Sequence, residues 1–392
     1  MGNWKTCTIG DLGTVVGGAT PSTKKAENYD GGTISWITPK DLAGFSGRFI
    51  SHGERNITEQ GLKSCSTQLM PAHTVLFSSR APIGYIAIAE QEVCTNQGFK
   101  SVVPSESTDY MFLYYLLKYN KDKIENLGSG TTFKEVSGST MRGIEVSVPD
   151  TIEEQQQIAS VLSALDDKIE KNNKINENLL EQAQSIFTQE FLALDTIPDG
   201  WQESSLLGIA DYLNGLAMQK YRPKDDEQGL PVLKIKELRQ GSCDSNSELC
   251  SPSIKPEYIV HDGDVIFSWS GSLLVDLWCG GTCGLNQHLF KVTSSTYDKW
   301  FYYAWTNHHL QKFAAIAADM ATTMGHIKRE ELAKAEVLIP SQSDYDRIGG
   351  LLAPLYDLVI TNRIENRKLA SLRDELLPQL MSGQLDVSEV SL

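Results

Sequence analysis

Residues 158–186 read IASVLSALDDKIEKNNKINENLLEQAQSI, and residues 348–376 read IGGLLAPLYDLVITNRIENRKLASLRDEL. In both stretches, apolar residues recur at alternating steps of four and three, which is the spacing of a coiled-coil seam. The first seam comprises Ile158, Leu162, Leu165, Ile169, Asn172, Asn176, Leu179, Ala183 and Ile186. The second seam comprises Ile348, Leu352, Leu355, Val359, Asn362, Asn366, Leu369, Arg373, Leu376 and Leu380. Because the two registers coincide at one offset of 190 residues, the sequence predicts two equivalent long helices.

Each predicted helix needs a partner that buries its seam, and the other helix is the simplest candidate. A two-fold relation between the helices makes them antiparallel, which places Asn172 near Asn366 and Asn176 near Asn362. Buried asparagines at seam positions fix the register of a coiled coil at a cost in stability. The alternative is a polar residue tolerated near solvent. The matched positions in both helices favour the register role.

The rest of the chain repeats at the same offset. The matches are Val75–Ser78 with Val265–Ser268, Asn96-Gln97 with Asn286-Gln287, and Tyr110–Tyr115 with Trp300–Trp305. A repeat of this length indicates two similar domains, since solenoid periods are about 20–50 residues. The sequence therefore predicts a body at residues 1–149, a helical spacer at 150–200, a second body at 201–340 and a second helical spacer at 341–392.

Each body contains short β-type runs separated by Gly, Pro and Asn clusters. The predicted strands are Thr33–Thr38, His73–Ser78, Tyr85–Ala89, Pro231–Ile235, Asp264–Trp269 and Ala335–Ile339. An aromatic-rich helix is predicted late in each body, at Tyr110–Tyr119 and Lys299–Gln311, with its rings in the core rather than stacked on bases. The predicted fold class is α+β. Two similar bodies of mixed α/β structure are separated by a long antiparallel two-helix coiled coil with pseudo-two-fold symmetry.

The charge is unevenly distributed along the chain, whose formal net charge is −15. Residues 1–149 hold 14 basic and 14 acidic side chains, whereas residues 150–200 hold 3 and 11. Neither body is strongly basic, so a nucleic-acid ligand would need phosphate contacts from a partner as well. Seven scattered cysteines, no apolar run of membrane-spanning length and no signal-peptide pattern predict a reduced, cytoplasmic protein.

Motifs of catalysis are missing from the sequence. It contains no G-x-x-x-x-G-K-[ST] loop, no H-E-x-x-H and no G-x-S-x-G. Cys279, Cys283 and His288 could suggest zinc, but a second ligand pair at suitable spacing is missing, so we predict no metal site. The absences favour a binding protein over two alternatives, a hydrolase or nuclease with an unrecognised site and an adaptor that binds only protein.

Polar residues at the turns of the bodies are the candidate ligand contacts. Arg, Lys, Ser and Thr side chains read base edges and bind phosphates, although each alone is more often a solvated loop residue. The candidates are Thr38, Lys40, Ser79, Arg80, Thr131 and Lys134 in the first body, and Lys234, Lys236, Trp269, Ser270, Thr322, Thr323 and His326 in the second.

The order and duplication of these motifs resemble the specificity (S) subunit of type I restriction–modification systems. Asn96-Gln97-Gly98-Phe99 and Asn286–Lys291 (NQHLFK) match two variants of one family element. Pro149 followed by Glu154-Gln155 and Ile158 resembles the family's junction between body and helix. The resemblance covers essentially the whole chain.

The resemblance implies two target-recognition domains, each reading one half of a bipartite, asymmetric DNA site. It implies that the helices set the spacer between the half-sites and dock two methyltransferase subunits. The chain itself would be non-catalytic and would bind no cofactor. S-adenosylmethionine, ATP and Mg²⁺ would belong to the partners, which can include an ATP-dependent restriction subunit. Ser270 replaces Arg80 and Gly325 replaces Lys134 at equivalent loops, so the two domains should read different bases.

Overall fold

The computed structural model describes residues 3–130, 134–319 and 327–390. The chain forms two compact units, residues 1–170 with 369–392 and residues 171–368. Each unit therefore contains one body and a part of both long helices. Within the described residues, no helix is long and apolar enough to cross a membrane.

The first body is built on a five-stranded sheet and a three-stranded sheet, in the orders β2-β9-β6-β7-β4 and β5-β3-β8, while β1 pairs with β10. Its strands are β1 (Trp4–Thr8), β2 (Gly13–Gly17), β3 (Ile34–Ile37), β4 (Phe49–Ile50), β5 (Arg55–Ile57), β6 (Val75–Ser79), β7 (Ile83–Ala89), β8 (Cys94–Thr95), β9 (Lys100–Pro104) and β10 (Glu145–Pro149). Most neighbours are antiparallel, but β3 runs parallel to β8, and β4 to β7. Parallel pairing joins segments far apart in sequence, which local patterns do not reveal.

Among the described residues of the first unit, six α-helices begin. They are α1 (Ile9–Leu12), α2 (Glu59–Lys63), α3 (Tyr110–Tyr119), α4 (Lys121–Asn126), α5 (Gly138–Arg142) and α6 (Ile152–Phe187). The Asp109 side chain caps α3 by accepting a hydrogen bond from the backbone N–H of Phe112 over 2.8 Å. Phe112 and Tyr115 are fully buried, which confirms that the central rings of this helix belong to the core.

The second body follows the same plan, with two four-stranded sheets in the orders β12-β19-β16-β17 and β14-β13-β18-β15, and with β11 paired to β20. Its strands are β11 (Gln202–Ser205), β12 (Asp211–Asn214), β13 (Leu230–Leu233), β14 (Leu249–Cys250), β15 (Ile259–Val260), β16 (Val265–Ser268), β17 (Leu274–Leu277), β18 (Cys283–Leu285), β19 (Leu289–Thr293) and β20 (Glu336–Ile339). Its helices are α7 (Leu206–Ile209), α8 (Ile235–Gln240), α9 (Lys299–His308), α10 (Leu310–Asp319) and α11 (Arg329–Ala333), and the long helix α12 (Gln342–Met381) follows the body. The predicted aromatic helix ends at His308, three residues early, and α10 follows after His309.

The two long helices are antiparallel in each unit, as predicted. In the first unit, Ile158 and Leu162 near the start of α6 share a hydrophobic core with Leu380 near the end of α12. In the second unit, Ala183 near the end of α6 shares a core with Ile348 near the start of α12. A π-helical turn, Thr188–Leu192, then leads out of α6. The buried residues at these positions confirm the predicted seam.

Asparagine side chains form a polar layer in the helix pair of the second unit. Nδ2 of Asn172 donates to Oδ1 of Asn366 over 2.8 Å and to Glu365 over 2.6 Å. Nδ2 of Asn362 donates to Oδ1 of Asn176 over 2.9 Å. Both predicted pairs are therefore confirmed, although Asn366 is only half-buried.

Ion pairs join each body to the helices of its own unit. In the first unit, the nearly buried Arg48 of the body binds Asp167 and Glu170 of α6. In the second unit the helix carries the cations and the body carries the acids. Arg363 of α12 binds Asp276 of the body over 2.7 Å, and Arg367 of α12 binds Asp262 over 2.7 Å. The second unit therefore takes its cations from the helix and the first unit takes its cation from the body.

A buried ion pair also links the two helices in the first unit. Arg373 of α12 binds Asp166 of α6 over 2.5 Å, and the hydroxyl of Tyr115 donates to the same carboxylate over 2.7 Å. The predicted seam position Arg373 is therefore paired with an acid beside the opposite seam. Removing one member of such a pair leaves a buried charge and costs about 3–5 kcal/mol.

Candidate nucleic-acid interface

A cleft of about 490 Å³ in the first body brings together three of the predicted contact residues, Thr38, Lys40 and Arg80. Asn96 and Glu135 line the same cleft. Thr38 and Asn96 follow the neighbouring parallel strands β3 and β8, and Arg80 follows β6. Strand ends meet here, so polar side chains from distant parts of the sequence converge on one surface.

The turn after β3 fixes the orientation of Thr38 and Lys40. Thr38 caps a short 3₁₀ helix, Pro39–Leu42, and its backbone N–H and hydroxyl each donate to the Asp41 carboxylate over 2.7 Å. The exposed Lys40 ammonium lies 2.7 Å from Glu54, and this hydrogen bond raises the pKa of Lys40 above its usual value. Because solvent screens an exposed ion pair strongly, Lys40 can exchange Glu54 for another anion.

Arg80 is the half-buried cation of the cleft. Its guanidinium lies 3.6 Å from the Glu135 carboxylate, which also lies 3.4 Å from the Lys100 ammonium. Ala81 has a positive φ of 52°, a backbone conformation that costs a non-glycine residue about 1–2 kcal/mol. The chain therefore turns sharply directly after Arg80, at the mouth of the cleft.

Ser79 corrects one expectation from the sequence. It is fully buried at the end of β6, and its hydroxyl donates to the Gly98 carbonyl over 3.2 Å. Every residue of β6 is buried, including Ser79, whereas Arg80 lies just beyond the end of the strand and remains accessible. Ser79 is therefore removed from the candidate contact residues.

The Asn-Gln element forms a tight turn against the cleft. Oδ1 of Asn96 accepts from the backbone N–H of Gly98 over 2.8 Å, and the exposed Gln97 accepts from the Thr20 hydroxyl over 2.5 Å. A Cβ atom on Gly98 would lie 2.8 Å from the Pro39 ring, so only glycine fits without a shift. The repeat of this dipeptide was the sequence signal that could have identified Asn96 and Gln97 as site residues.

The second body has the same turn after β13 with different side chains. The backbone N–H of Lys234 donates to the Glu237 carboxylate over 3.3 Å, as that of Thr38 does to Asp41. The Lys234 ammonium lies 2.5 Å from Glu248, and this hydrogen bond lowers the pKa of the Glu248 carboxyl. Lys236 is exposed and lies 3.5 Å from Asp244. Both lysines remain accessible.

Trp269 and Ser270 follow β16, where Arg80 follows β6 in the first body. The half-buried Trp269 indole donates to Oδ1 of Asn214 over 3.1 Å, and its ring lies 6.2 Å from that of His288. Ser270 is buried, with its hydroxyl 3.2 Å from Nδ1 of His288. Ser270 is therefore also removed from the contact residues. His288, which occupies the position of Gly98, presents the more accessible polar group.

Four predicted contacts, Thr131, Thr322, Thr323 and His326, lie outside the described residues. Lys134 is exposed, and within the described ranges it has no ion-pair partner. The same ranges hold no cluster of three or more His, Cys, Asp or Glu side chains arranged to bind a metal ion. Cys279 and Cys283 are buried free thiols, and burial raises the pKa of Cys279 to about 11.

The comparisons with known proteins agree with this architecture. Residues 1–181 and 198–373 match the sequence model of the type I restriction modification DNA specificity domain. The chain is 34% identical to the type I restriction enzyme MjaIX specificity subunit of Methanocaldococcus jannaschii, over 99% of this chain and 95% of that protein. It is 30% identical to the EcoR124I/EcoR124II specificity subunit of Escherichia coli, over 45% of this chain and 43% of that protein.

A solved structure shares the fold. The crystal structure of a type I restriction–modification S subunit from M. genitalium superposes with a TM-score of 0.59. It covers 97% of this chain and 96% of its own length at 16% sequence identity. At that identity the likeness concerns the fold alone.

Proposed function

Because the chain belongs to the family of type I restriction–modification specificity subunits, we propose that it selects the DNA sequence on which a modification complex acts. Each body reads one half of a bipartite, asymmetric site. The chain itself carries out no catalysis in this proposal. Adenine N6 methylation, with S-adenosylmethionine, belongs to partner subunits, as do ATP and Mg²⁺ where a restriction subunit joins.

One observation carries the proposal for the two bodies. The same capped turn and the same Asn-Gln turn occur in both, yet the side chains at these turns differ. Thr38 is replaced by Lys234 and Gly98 by His288. After β16, the buried Ser270 replaces the accessible Arg80, so the second body has no cation at that position. A shared backbone with different polar groups supports two bodies that bind DNA in the same orientation but select different bases. Two identical clefts would instead favour a symmetric site.

The negative net charge of this chain supports a role for partner subunits in DNA binding. The formal net charge is −15, and the candidate cations Lys40, Arg80 and Lys234 already have carboxylate neighbours. Phosphate contacts supply much of the affinity of a protein for DNA, so this chain has few to offer alone. We propose that two methyltransferase subunits dock on the long helices and close around the DNA.

In this proposal the two long helices set the length of the DNA spacer between the half-sites. Helix α6 begins in the first unit and ends in the second, and α12 begins in the second unit and ends in the first. Neither helix is interrupted where it passes from one unit to the other. A continuous helix rises about 1.5 Å per residue and resists compression. The helix length therefore sets the spacer between the two half-sites.

Mapping of adenine methylation across the native host genome by single-molecule sequencing tests the function. We expect one asymmetric bipartite motif with a fixed spacer, and we expect this motif to disappear when the gene for this chain is deleted. Exchange of residues 1–149 for the corresponding body of a relative should change one half of the motif only. Methylation at the same motif without the chain would refute the proposal, as would a motif with a single continuous recognition element.

A further inference from the structure

Three charged side chains meet at the cleft of the first body. The Glu135 carboxylate lies 3.6 Å from the Arg80 guanidinium and 3.4 Å from the Lys100 ammonium. Arg80 follows β6, Lys100 is the first residue of β9, and Glu135 belongs to the segment between α4 and α5. Arg80 and Glu135 both line the cleft, so a cation and an acid are presented side by side to whatever enters it.

The backbone of Glu135 is fixed by hydrogen bonds. Its N–H donates to the Ser129 carbonyl over 2.9 Å, and its carbonyl accepts from the Ser129 N–H over 3.1 Å. The next residue, Val136, donates its N–H to the Ser79 carbonyl at the end of β6 over 3.0 Å. Glu135 is therefore held beside the strand end that Arg80 follows.

The side chains of Arg80 and Glu135 have few hydrogen bonds. At 3.6 Å their own contact is too long for a hydrogen bond, and within the described residues no other group accepts from this guanidinium. The carboxylate accepts from Lys100 over 3.4 Å, although a carboxylate can accept about four hydrogen bonds. The two side chains are 34% and 39% exposed. A fork of N–H donors and an acceptor are therefore both available to a ligand.

The acid decides which part of DNA this pair fits. A phosphate at Arg80 would place its negative charge beside the Glu135 carboxylate, and like charges repel. In the major groove a G·C pair shows two acceptors, N7 and O6 of guanine, next to a donor, the N4 amino group of cytosine. O6 and N4 are joined by the base-pair hydrogen bond, about 2.9 Å long. The 3.6 Å between the Arg80 nitrogen and the Glu135 oxygen is comparable. The pair therefore matches this base edge in both chemistry and spacing.

The second body keeps the backbone of this cluster without its side chains. The Ile327 N–H donates to the Trp269 carbonyl over 3.0 Å, as that of Val136 does to the Ser79 carbonyl. The two segments therefore occupy equivalent places, which aligns their neighbours. Each of the three charged residues is replaced, with Ser270, Phe290 and His326 at the positions of Arg80, Lys100 and Glu135. The donor fork and its acid occur together, in one body only.

We infer that Arg80 and Glu135 together read one G·C base pair in the half-site bound by the first body, an inference that rests on the proposed function. Arg80 donates to N7 and O6 of the guanine, and the Glu135 carboxylate accepts from the amino group of the cytosine. Lys100, which is mostly buried, holds the carboxylate in place. The second body has neither the fork nor the acid, so the equivalent base pair of its half-site is not read in this way.

Residue changes combined with base changes test both contacts. The sample is the modification complex that contains the full chain, and the DNA carries the motif found by methylation mapping. At each G·C pair of the first half-site, 7-deazaguanine removes the N7 acceptor, and 2-pyrimidinone in place of cytosine removes the amino group. Competition binding compares these duplexes with the unmodified site for the wild type and for each variant.

We expect each modified base to lose its effect in one variant. At one G·C pair, 7-deazaguanine should weaken binding of the wild type about tenfold and should not weaken binding of R80A further. The 2-pyrimidinone base should weaken binding of the wild type but not of E135A. E135Q, whose amide oxygen still accepts a hydrogen bond, should restore part of the preference for cytosine. Weaker pairing of 2-pyrimidinone with guanine affects every variant alike and cancels in the comparison.

A second ion pair of the same body supplies the matched controls. Glu59 and Lys63 are exposed, lie 3.1 Å apart and do not line the cleft. E59A and K63A should therefore respond to both modified bases as the wild type does. Wild-type discrimination at the second half-site reports that each variant is folded and assembled.

Three results would overturn the inference. One is a first half-site without a G·C pair. Another is an equal response of the wild type, R80A and E135A to the modified bases. The last is tighter binding of E135A and E135Q to all DNA with unchanged base preference, which would show that the acid only repels phosphates. Each of these results leaves the bipartite motif and its dependence on this chain intact, whereas a failure of the proposed function removes them.

Discussion

The amide of Asn362 donates a hydrogen bond of 2.9 Å to the amide oxygen of Asn176, and both side chains are buried. The second pair, Asn172 and Asn366, is bonded over 2.8 Å. Each residue lies at a seam position, where an apolar side chain would pack more favourably. The amides can form these hydrogen bonds only in one alignment of the helices, so the layer specifies the register of the coiled coil.

Replacement of all four asparagines of this layer by leucine should stabilise the protein. Apolar contacts then replace buried amides, so we expect the free energy of unfolding to increase by about 1 kcal/mol or more. The midpoint of thermal unfolding should then rise by several degrees. The distance distribution between spin labels on α6 and α12 should broaden, since slips of one heptad become possible. The control is N178L, at an exposed position away from the seam. A lower midpoint with an unchanged distribution would contradict the register role.

Arg80→Ala should weaken recognition of one half-site. Loss of a bidentate base contact costs about 1–3 kcal/mol and relaxes specificity at that base. Competition binding of the assembled complex, with single-base variants of both half-sites, measures the effect. R142A removes another exposed arginine of the same body and serves as the control. A uniform loss on all DNA would instead identify Arg80 as a phosphate contact, and no loss would identify it as a surface residue.

The isolated chain should bind its target DNA poorly and gain affinity when two methyltransferase subunits assemble with it. The physical reason is its negative charge, which opposes association with phosphates. Titration of labelled target DNA with the subunit alone and with the assembly compares the two, at several salt concentrations. The steeper salt dependence should belong to the assembly, because more phosphates are contacted. Equal and tight binding by both preparations would count against this prediction.

Acid should weaken the attachment of the second body to α12. The hydrogen bonds from Arg367 hold the pKa of the Asp262 carboxyl below its usual value, which is about 3.9 in an unfolded chain. Its contribution to stability is therefore present above about pH 4 and is lost as the pH falls through the lower, folded-state pKa. Urea unfolding at several pH values should show a shallower acid dependence in D262N than in the wild type. A matched change at the exposed Asp225 should leave the profile intact, and identical profiles for D262N and the wild type would exclude this contribution.

Insertion of seven residues after Asn176 and after Asn366 should lengthen the preferred DNA spacer. Seven helical residues add roughly 10 Å, close to three base pairs at about 3.4 Å each. Both half-sites should stay the same, because the bodies are untouched. Insertion in only one helix is the control and should disrupt the pair instead of lengthening it. An unchanged spacer in the doubly extended protein, with methylation intact, would show that the helices do not set the spacer length.

The sequence by itself determined the features that depend on short-range periodicity and on repetition. The four-three spacing identified both long helices, and the single offset of 190 residues with a two-fold relation paired Asn172 with Asn366 and Asn176 with Asn362. Short β-type runs identified strands such as β3, β6 and β16 to within two residues at each end, because alternation and turn residues are local signals.

Only the tertiary structure decided which polar residues are accessible. Ser79 and Arg80 are adjacent in sequence, yet one is fully buried and the other lines the cleft, since β6 is buried along its whole length and the chain turns at Ala81 just beyond it. The pairing of Arg48 with Glu170 and the hydrogen bond from Tyr115 to Asp166 depend on contacts between residues far apart in the chain. A sequence pattern reports which residues share a helix or strand face, whereas the residue that a turn or strand end meets across the body is fixed only by packing.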